Sequence, residues 1–417
     1  MFQKVYFLIQ TLFIFCWYYF IYLCNWDYDY FVINLTNSLG NINPFYIKIF
    51  QSLATNSFIL TSEQIKYMSK YTDSVPYTQN EKDDMMYTVF NNIAMKNCDL
   101  SIELLNNHKP INAGMIALVY KGKMYNKEVI IKVQRKGIAN KLETALDNID
   151  FLYRILIYVM SLDKFNLKYL ISENKNTLLS QLDFNNELNN LKRVQKNFEN
   201  LDNIIIPNVY DEFTHQYDKM IVMDYIEGDH LIDIKKEEKQ RYSELISQFG
   251  LKCLLYDNFY HADLHAGNIL FIDGNKIAIL DYGIMGELTK EEQNTYYLLI
   301  KGLTDCDAKQ VCDIFINNLM EPKERIECLT DAEIKELEDG IMKIIMNGKD
   351  NKTSFNLNDM YELNLLFNKY DIYFVRWISK IEMALSVSDG VQRELLDNVS
   401  QLENLKTVID KFENFII

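Results

Sequence analysis

Proline and glycine are scarce in this chain of 417 residues, which has only 5 and 14 of them, and no proline- or serine-rich stretch interrupts it. The sequence therefore lacks an obvious linker between domains, and we predict one large bilobal unit. Cysteines are few, odd in number and free of any C-x-x-C pair, at positions Cys16, Cys24, Cys98, Cys253, Cys306, Cys312 and Cys328. This scatter indicates reduced thiols and argues against a disulfide framework or a zinc site.

Positive charge is also in short supply, with 43 Lys and Arg residues against 58 Asp and Glu residues and a formal net charge of −15. An acidic chain repels a phosphate backbone, and no stripe of basic residues alternates with aromatic ones. We therefore predict that nucleic acid is not a partner. The shares of apolar residues, 48%, and charged residues, 24%, are ordinary for a globular protein with a sizeable core, which argues against disorder.

One long uncharged run is present near the start of the chain, VYFLIQTLFIFCWYYFIYLC. Its length suits an α-helix that crosses a hydrocarbon core, and the aromatic residues near its end suit the membrane interface. A cleaved signal peptide and a buried core helix are the alternatives, but the run is long for the first and almost unbroken by polar residues for the second. We predict a single-pass membrane anchor within residues 1–30. Lys4 before the run and two aspartates after it favour a non-cytoplasmic body, while the compartment stays open.

Apolar spacing divides the rest of the chain into three predicted parts, and the predicted fold class is α+β. Residues 31–105 show helical spacing and form a helical extension. Residues 106–228 contain INAGMIALVYKG, VIIKVQR, IIIPNVYDEF and KMIVMDYIEG, which we predict to be strands of a small β-rich lobe with a helical insert. Residues 229–417 form a mainly helical lobe, with capping boxes that begin at Thr289 and Thr330.

The stretch FYHADLHAGNILF, residues 259–271, concentrates polar side chains between apolar flanks. His261 and His265 are four positions apart, but Gly267 and Asn268 favour a loop over a helix, which argues against zinc binding by the two imidazoles. No G-x-S-x-G nucleophile elbow occurs in the sequence, which argues against a Ser-His-Asp hydrolase. We assign both histidines to the architecture of the loop.

The remaining polar residues match the needs of phosphoryl transfer. Asp263 is followed five positions later by Asn268, then by a predicted strand, NILFIDGNKIAIL, and by Asp281-Tyr-Gly. Phosphoryl transfer needs a carboxylate near the attacking oxygen, and amide and carboxylate oxygens that hold Mg²⁺. Upstream, Lys132 in VIIKVQR lies on a predicted strand from which an ammonium group can reach the α and β phosphates. A surface lysine on a strand edge is the alternative, but its apolar flanks favour a cleft.

Four motifs together, HADLHAGNILF, LDYGIMG, VIIKVQRKGI and QLDFNNELNN, resemble the UbiB-type, or aarF-domain (ADCK), atypical protein-kinase-like family. The resemblance covers most of the chain after the predicted anchor. It implies a bilobal protein-kinase-like fold that uses ATP (or ADP) and Mg²⁺ between its lobes. It assigns Asp263 as the catalytic carboxylate, Asn268 and Asp281 as metal ligands, and Glu187 as the partner of Lys132. Taken alone, Glu187 could equally be a solvated helix residue.

The resemblance also implies nucleotide-binding and regulatory positions. Those in the alanine-rich nucleotide loop, here NAGMIALV, are Ala113, Gly114, Ala117 and Val119. The backbone from Asp224 to Ile226 would bond an adenine edge at the hinge, where the side chains would be solvated. Lys48 and Gln51 match a Lys-x-Gly-Gln motif in the helical extension, which would cover the site where a protein substrate docks.

Three positions depart from the family pattern. Phe50 replaces the glycine of the extension motif, and Gln181 replaces the first acid of the Glu-x-Asp stretch. Ala117 stands where glycine is usual, and we expect its methyl group to restrict a positive-φ geometry that lets backbone amides approach phosphate.

The function implied is that of an ATP- and Mg²⁺-dependent kinase or ATPase acting on a small or lipid substrate related to prenyl-lipid or quinone metabolism. Two alternatives stay open. One is a small-molecule phosphotransferase of the aminoglycoside or choline kinase type, which shares H-x-D-x-H-x-x-N. The other is a membrane-tethered pseudokinase that binds nucleotide as a switch. The expected partners are a nucleotide, the substrate and a membrane.

Overall fold

A computed structural model describes residues 2–43, 45–46, 75, 77–160, 175, 178–305, 307–350 and 357–395. The chain divides into two compact units, the first formed by Met1–Lys192 and Pro207–Tyr225, the second by Arg193–Ile206 and Ile226–Ile417. Helices and antiparallel sheets occur together, and the predicted α+β class is confirmed. The predicted domain boundaries at residues 30, 105 and 228 stay predictions.

The helices described are α1 (Phe2–Asn25), α2 (Tyr28–Ile42), α3 (Met85–Lys96), α4 (Ile138–Met160), α5 (Phe184–Asn197), α6 (Asp211–Gln216), α7 (Lys239–Leu255), α8 (Lys290–Thr304), α9 (Ala308–Ile314), α10 (Lys323–Glu327), α11 (Asp331–Asp350), α12 (Leu357–Asn368) and α13 (Arg376–Leu395). The strands are β1 (Ile102–Leu104), β2 (Asn112–Ala113), β3 (Ala117–Met124), β4 (Lys127–Gln134), β5 (Ile204–Ile205), β6 (Met220–Asp224), β7 (Phe259–His261), β8 (Ile269–Ile272), β9 (Lys276–Ile279), β10 (Met285–Glu287), β11 (Met320–Glu321) and β12 (Tyr373–Phe374).

An antiparallel sheet forms the centre of the first unit, in the order β1-β3-β4-β6, with β2 added to β3. The alternation in β4 explains its position. Val129, Ile131 and Val133 are buried in one apolar cluster with residues of α3, while the residues between them point to the other face. Lys132 therefore lies on the face opposite this cluster. The strands predicted around VIIKVQR and KMIVMDYIEG are present in this sheet.

The stretch IIIPNVYDEF does not form a strand that closes this sheet, contrary to the prediction. Ile204 and Ile205 form a strand, β5, that pairs in parallel with β9 in the second unit. Val209 of the same stretch makes a single antiparallel bridge to Met223 of β6. The acidic end of the stretch begins helix α6 instead, with Asp211 in the first turn, where a negative charge is favourable. Thr214 then fixes this helix to β6, because its hydroxyl donates to the carbonyl oxygen of Met220 at 2.7 Å.

Helix α1 contains the predicted anchor. Within the described residues, Lys4–Asn25 is the helix long and apolar enough to cross a membrane, by length and composition. One face of α1 contacts its own unit, since Lys4 Nζ lies 3.0 Å from the carboxylate of Asp147 and Phe7 packs against Tyr46. Phe15, Tyr19 and Tyr22 of α1 pack against Phe31 of α2, and many of the other apolar side chains of α1 are exposed. Lys48, Phe50 and Gln51, predicted in the helical extension, lie outside the described residues.

The second unit contains the predicted loop and most of the remaining helices. The stretch NILFIDGNKIAIL is not one strand, as predicted, but the antiparallel pair β8 and β9. The chain reverses at Asp273 and Gly274, whose φ values of 49° and 74° suit the Asp-Gly sequence of a tight turn. Strands β7 and β10 form a second antiparallel pair. The capping boxes predicted at Thr289 and Thr330 are both present, at the starts of α8 and α11.

Candidate nucleotide and metal site

Lys132 and Glu187 form an ion pair within the first unit. Lys132 Nζ on β4 donates to Glu187 Oε1 at 2.7 Å and to Oε2 at 2.9 Å. The Glu187 side chain is 2% exposed and that of Lys132 16% exposed, so neither is the solvated surface residue that the sequence left as an alternative. A buried carboxylate needs a paired charge, and this lysine supplies it while its own ammonium group is held in one place.

The turn before α5 explains how Glu187 reaches this position. Asp183 Oδ1 accepts hydrogen bonds from the amides of Asn185 and Asn186, which caps the first turn of the helix. Glu187 follows one turn after the cap, on the side of the helix that faces β4. At the departure position, Gln181 Oε1 is buried and has no hydrogen-bond partner among the described residues.

The predicted nucleotide loop is a hairpin turn between β2 and β3. Gly114 N–H donates to the carbonyl oxygen of Ala117 at 2.9 Å, and Val119 accepts from the amide of Ile111 at 2.8 Å. Neither Gly114 nor Ala117 has a positive φ, and Ala117 is a buried residue of β3 paired with Gln134. The expectation that the Ala117 methyl group restricts a positive-φ geometry is therefore wrong, since extended backbone at this position accepts any side chain.

Two residues that the sequence reasoning missed hold this turn. Arg135, just after β4, donates from Nη1 to the carbonyl oxygen of Gly114 at 3.1 Å and from Nη2 to Glu81 at 3.2 Å. Glu81 ends a short turn that begins with the capping sequence Thr78-Gln-Asn-Glu. That sequence is a visible capping-box signal, but nothing local indicates that its glutamate pairs with an arginine far along the chain.

The predicted adenine-binding stretch begins at the end of β6. The amide of Asp224 donates to Asn208 and that of Tyr225 to Glu128, so the prediction rests on the Ile226 amide and on the carbonyl oxygens of the stretch. We expected the Asp224 side chain to be solvated, but it is hydrogen-bonded within the protein. Its carboxylate accepts from the Tyr210 hydroxyl at 2.6 Å and from the Asn208 amide group at 2.8 Å.

Asp263 and Asn268 belong to one hydrogen-bonded loop in the second unit. Asn268 Nδ2 donates to the carbonyl oxygen of Asp263 at 2.9 Å, which ties the two ends of the loop together. Between them, His265 Nδ1 accepts from the amide of Gly267 at 3.1 Å and caps a short 3₁₀ turn. The use of Nδ2 directs the Oδ1 atom of Asn268, a hard oxygen donor, to the other side of its amide group.

His261 connects this loop to the Asp281 turn. Its Nδ1 accepts from the amide of Asp263 at 3.1 Å, and its Nε2 lies 2.7 Å from the carbonyl oxygen of Asp281. Both bonds form only when the ring is neutral and carries its proton on Nε2. Burial of the ring lowers the pKa of His261, which favours that neutral form. The predicted architectural role of this histidine fits both contacts.

The Asp281-Tyr282-Gly283 turn is held at three points. Asp281 Oδ1 accepts from the amide of Gly283 at 3.0 Å, and the backbone of Asp281 is bonded to His261. Tyr282 is fully buried, and its hydroxyl donates to the carbonyl oxygen of Ile279 on β9 at 3.1 Å. Hydrogen bonds thus join the loop of residues 261–268 to the turn of residues 281–283, and we call the two together the loop system. These bonds fix Asp263, Asn268 and Asp281 relative to one another.

A magnesium ion with bound phosphates fits the donors of this loop system. No group of three or more His, Cys, Asp and Glu side chains that could hold a metal occurs among the described residues. Mg²⁺ with a nucleotide does not need such a cage, since it binds through one or two carboxylates, waters and phosphate oxygens. Asp281 and Asn268 supply a carboxylate and an amide oxygen of that kind.

Comparisons with known proteins show a family similarity. A family model described as the ABC1 atypical kinase-like domain matches residues 70–315. An uncharacterized protein from Clostridium pasteurianum is 31% identical over 268 residues, which make up 62% of this chain and 48% of that protein. An aarF domain-containing protein kinase from Arabidopsis thaliana chloroplasts is 25% identical over 327 residues, 75% of this chain and 44% of that protein. A probable serine/threonine-protein kinase from Dictyostelium discoideum is 27% identical over 280 residues, 63% of this chain and 40% of that one.

A solved structure shows the same fold. The Mycobacterium tuberculosis protein solved in complex with erythromycin has a TM-score of 0.51 and 14% sequence identity, and the match covers 89% of this chain and 92% of that one. The chain belongs to the ABC1 atypical kinase-like family, so the predicted family and kinase-like fold class are confirmed. It spans less than half of the length of the three relatives named above.

Proposed function

We propose that the chain binds ATP with Mg²⁺ and acts as an atypical kinase or ATPase. The observation that carries this proposal is the ion pair between Lys132 and Glu187, in which both oxygens of a buried carboxylate accept from one partly buried ammonium group. A lysine fixed on a strand by a helix glutamate is the arrangement that protein kinases use for the α and β phosphates. Family membership and the kinase names of several relatives support it.

Each residue of the loop system has a role in this proposal. Asp263 would accept a proton from a hydroxyl group or water, and Asn268 and Asp281 would hold Mg²⁺. The metal supplies charge neutralisation for the phosphates when it is bound. Lys132 would bind the same nucleotide. The main chain at Ala113–Val119 and at Asp224–Ile226 would contact the nucleotide, and the extension with Lys48 and Gln51 would regulate access.

The substrate class proposed is a small or lipid molecule, related to prenyl lipids or quinones. The family resemblance supports this choice, and so does the apolar α1, since a membrane-associated enzyme meets its lipid substrate in the bilayer. We propose that α1 is a single-pass anchor. The acidic composition of the chain, with its net charge of −15, argues against nucleic acid as a partner.

Turnover of labelled ATP by the full chain in lipid vesicles tests the proposal. With γ-labelled ATP, an ATPase releases labelled phosphate, and a lipid kinase transfers the label to an extractable lipid. Asp263→Asn should abolish either product while nucleotide binding persists, because the carboxylate acts on the attacking group and not on the nucleotide. Binding without turnover in the wild type would replace this proposal with the pseudokinase alternative. Absence of both would refute it.

A further inference from the structure

Glu81, the partner of Arg135, is a buried carboxylate to which the proposed function gives no role. It is 8% exposed, yet it accepts hydrogen bonds from four donors. These are Lys141 Nζ at 2.7 Å, the Thr78 amide at 2.7 Å, the Thr78 hydroxyl at 3.4 Å and Arg135 Nη2 at 3.2 Å. A carboxylate placed between two cations and a backbone amide is anchored at both oxygens, so it cannot move without breaking charged hydrogen bonds.

Arg135 transmits this anchoring to the hairpin turn of residues 113–117. Its side chain is 2% exposed, and its planar group reaches Glu81 with one nitrogen and the Gly114 carbonyl oxygen with the other. Its own amide donates to the carbonyl oxygen of Ile116 at 2.8 Å. Arg135 therefore binds two carbonyl oxygens of the turn, one through its guanidinium group and one through its backbone amide. Glu81 fixes the position of the guanidinium group. Lysine could not reproduce the forked contact.

The backbone around Glu81 contacts the same region a second time. The Val75 amide donates to the carbonyl oxygen of Ala113 at 2.9 Å, and the Glu81 carbonyl oxygen accepts from the amide of Lys136 at 2.8 Å. The segment from Val75 to Glu81 is therefore bonded to both ends of the hairpin, at the turn and just after β4. A displacement of this segment would displace the turn.

We propose that Glu81 is a positioning residue that, through Arg135, holds the turn of residues 113–117 in the conformation that binds a nucleotide. This inference rests on the proposed function, because it assumes that the turn contacts the nucleotide. It adds that nucleotide affinity depends on a segment outside the predicted nucleotide loop and outside the predicted catalytic and metal-binding positions. This segment lies within the predicted helical extension, residues 31–105, so its hydrogen bonds connect that extension to the turn.

The test compares nucleotide affinity with maximal turnover in the full chain. Glu81→Gln keeps the size of the side chain but loses the charge that orients Arg135, and Arg135→Lys keeps the charge but loses the fork. In each variant we expect KM for ATP to rise about tenfold, equivalent to about 1.4 kcal/mol, with kcat within about twofold of the wild type. A purely structural role would lower the amount of active protein, and thus apparent kcat, without changing KM.

Asp83→Asn is the matched control. Asp83 lies two positions after Glu81, and its carboxylate accepts from the hydroxyl of Tyr217 and from the amide of Met85, neither of which belongs to the turn. It should leave KM unchanged. An unchanged KM in folded Glu81→Gln, or an equal rise in the control, would overturn the inference. If the wild type itself did not bind ATP, the proposed function would be refuted instead.

Hydrogen exchange of the wild type keeps the inference testable if the variants do not fold. On addition of Mg²⁺ and ATP, the amides of Thr78, Gly114 and Lys136 should gain protection together, because Glu81 and Arg135 connect their positions. Protection confined to Gly114, with Thr78 and Lys136 unchanged, would contradict a positional link.

Discussion

Replacement of Lys132 by methionine would remove the counter-charge of a carboxylate that is only 2% exposed. Methionine keeps the apolar stem but has no donor, so the hydrogen bonds of 2.7 and 2.9 Å to Glu187 are both lost. Loss of one member of a buried ion pair costs about 3–5 kcal/mol, because the buried charge that remains loses its counter-charge and water does not replace it. We expect the free energy of unfolding of Lys132→Met to be lower by this amount. That is a large part of the roughly 5–15 kcal/mol that is typical of a domain.

Two further variants separate this effect from a general loss of charge. Lys121 on the neighbouring strand β3 pairs with Glu128 at 2.9 Å, but the side chains are 21% and 48% exposed. Lys121→Met should therefore cost less than about 1 kcal/mol. The double variant Lys132→Met with Glu187→Met removes both charges from the buried site, and it should regain most of the loss, because an apolar pair of similar volume needs no counter-charge.

Native-state hydrogen exchange of the β3 and β4 amides measures the outcome in the full chain, since it reports the free energy of opening of this sheet. A loss in Lys132→Met no greater than that in Lys121→Met would contradict the role given to this ion pair. A double variant that lost as much stability as Lys132→Met would also contradict it, since the cost would then not come from the carboxylate that remains.

Three other changes have defined outcomes. Tyr282→Phe removes a buried hydroxyl that donates to a strand carbonyl and should cost about 1–3 kcal/mol in urea unfolding, whereas Ser243→Ala removes a buried hydroxyl with no partner among the described residues and should cost little. Burial opposes ionisation of Glu81, but hydrogen bonds and two cations outweigh it and lower its pKa. The stability that Glu81 contributes should be fully present above pH 4.5, the ordinary pKa of a glutamate, and should decline as pH falls through the lowered pKa of the folded protein. Thermal melts of Glu81→Gln should not show this decline. Gly286→Ala would place a methyl carbon 2.1 Å from a tyrosine ring atom and should lower Tm, while Gly114→Ala, with its nearest neighbour at 3.6 Å, should not.

The residues of the loop system could be predicted from the sequence because they are close together in the chain. Asp263, Asn268 and Asp281 lie within 19 consecutive residues, and their order already matched phosphoryl-transfer chemistry. The strand that carries Lys132 has a clear alternation of buried and partly exposed residues. In these places local pattern and final position agree.

Other features depend on contacts far apart in the sequence. Strand β5 is only two residues long and pairs with β9, more than 70 positions later, so no periodic signal distinguishes it from the apolar stretch around it. Glu81 and Arg135 are 54 positions apart, and each looks like an ordinary charged residue on its own. The Lys132–Glu187 pair spans 55 positions and was reached through the family resemblance, not through the spacing of residues.

Calorimetric titration of the full chain in detergent micelles with ATP tests most directly whether Asp281 and Asn268 serve a magnesium-bound nucleotide. With Mg²⁺ present, we predict one binding site per chain. Removal of Mg²⁺ with EDTA should weaken binding at least about tenfold, or about 1.4 kcal/mol, and Asp281→Asn should bind ATP equally weakly with and without the metal. Folded wild-type chain that binds no ATP, or that binds it equally well in EDTA, would contradict the proposal.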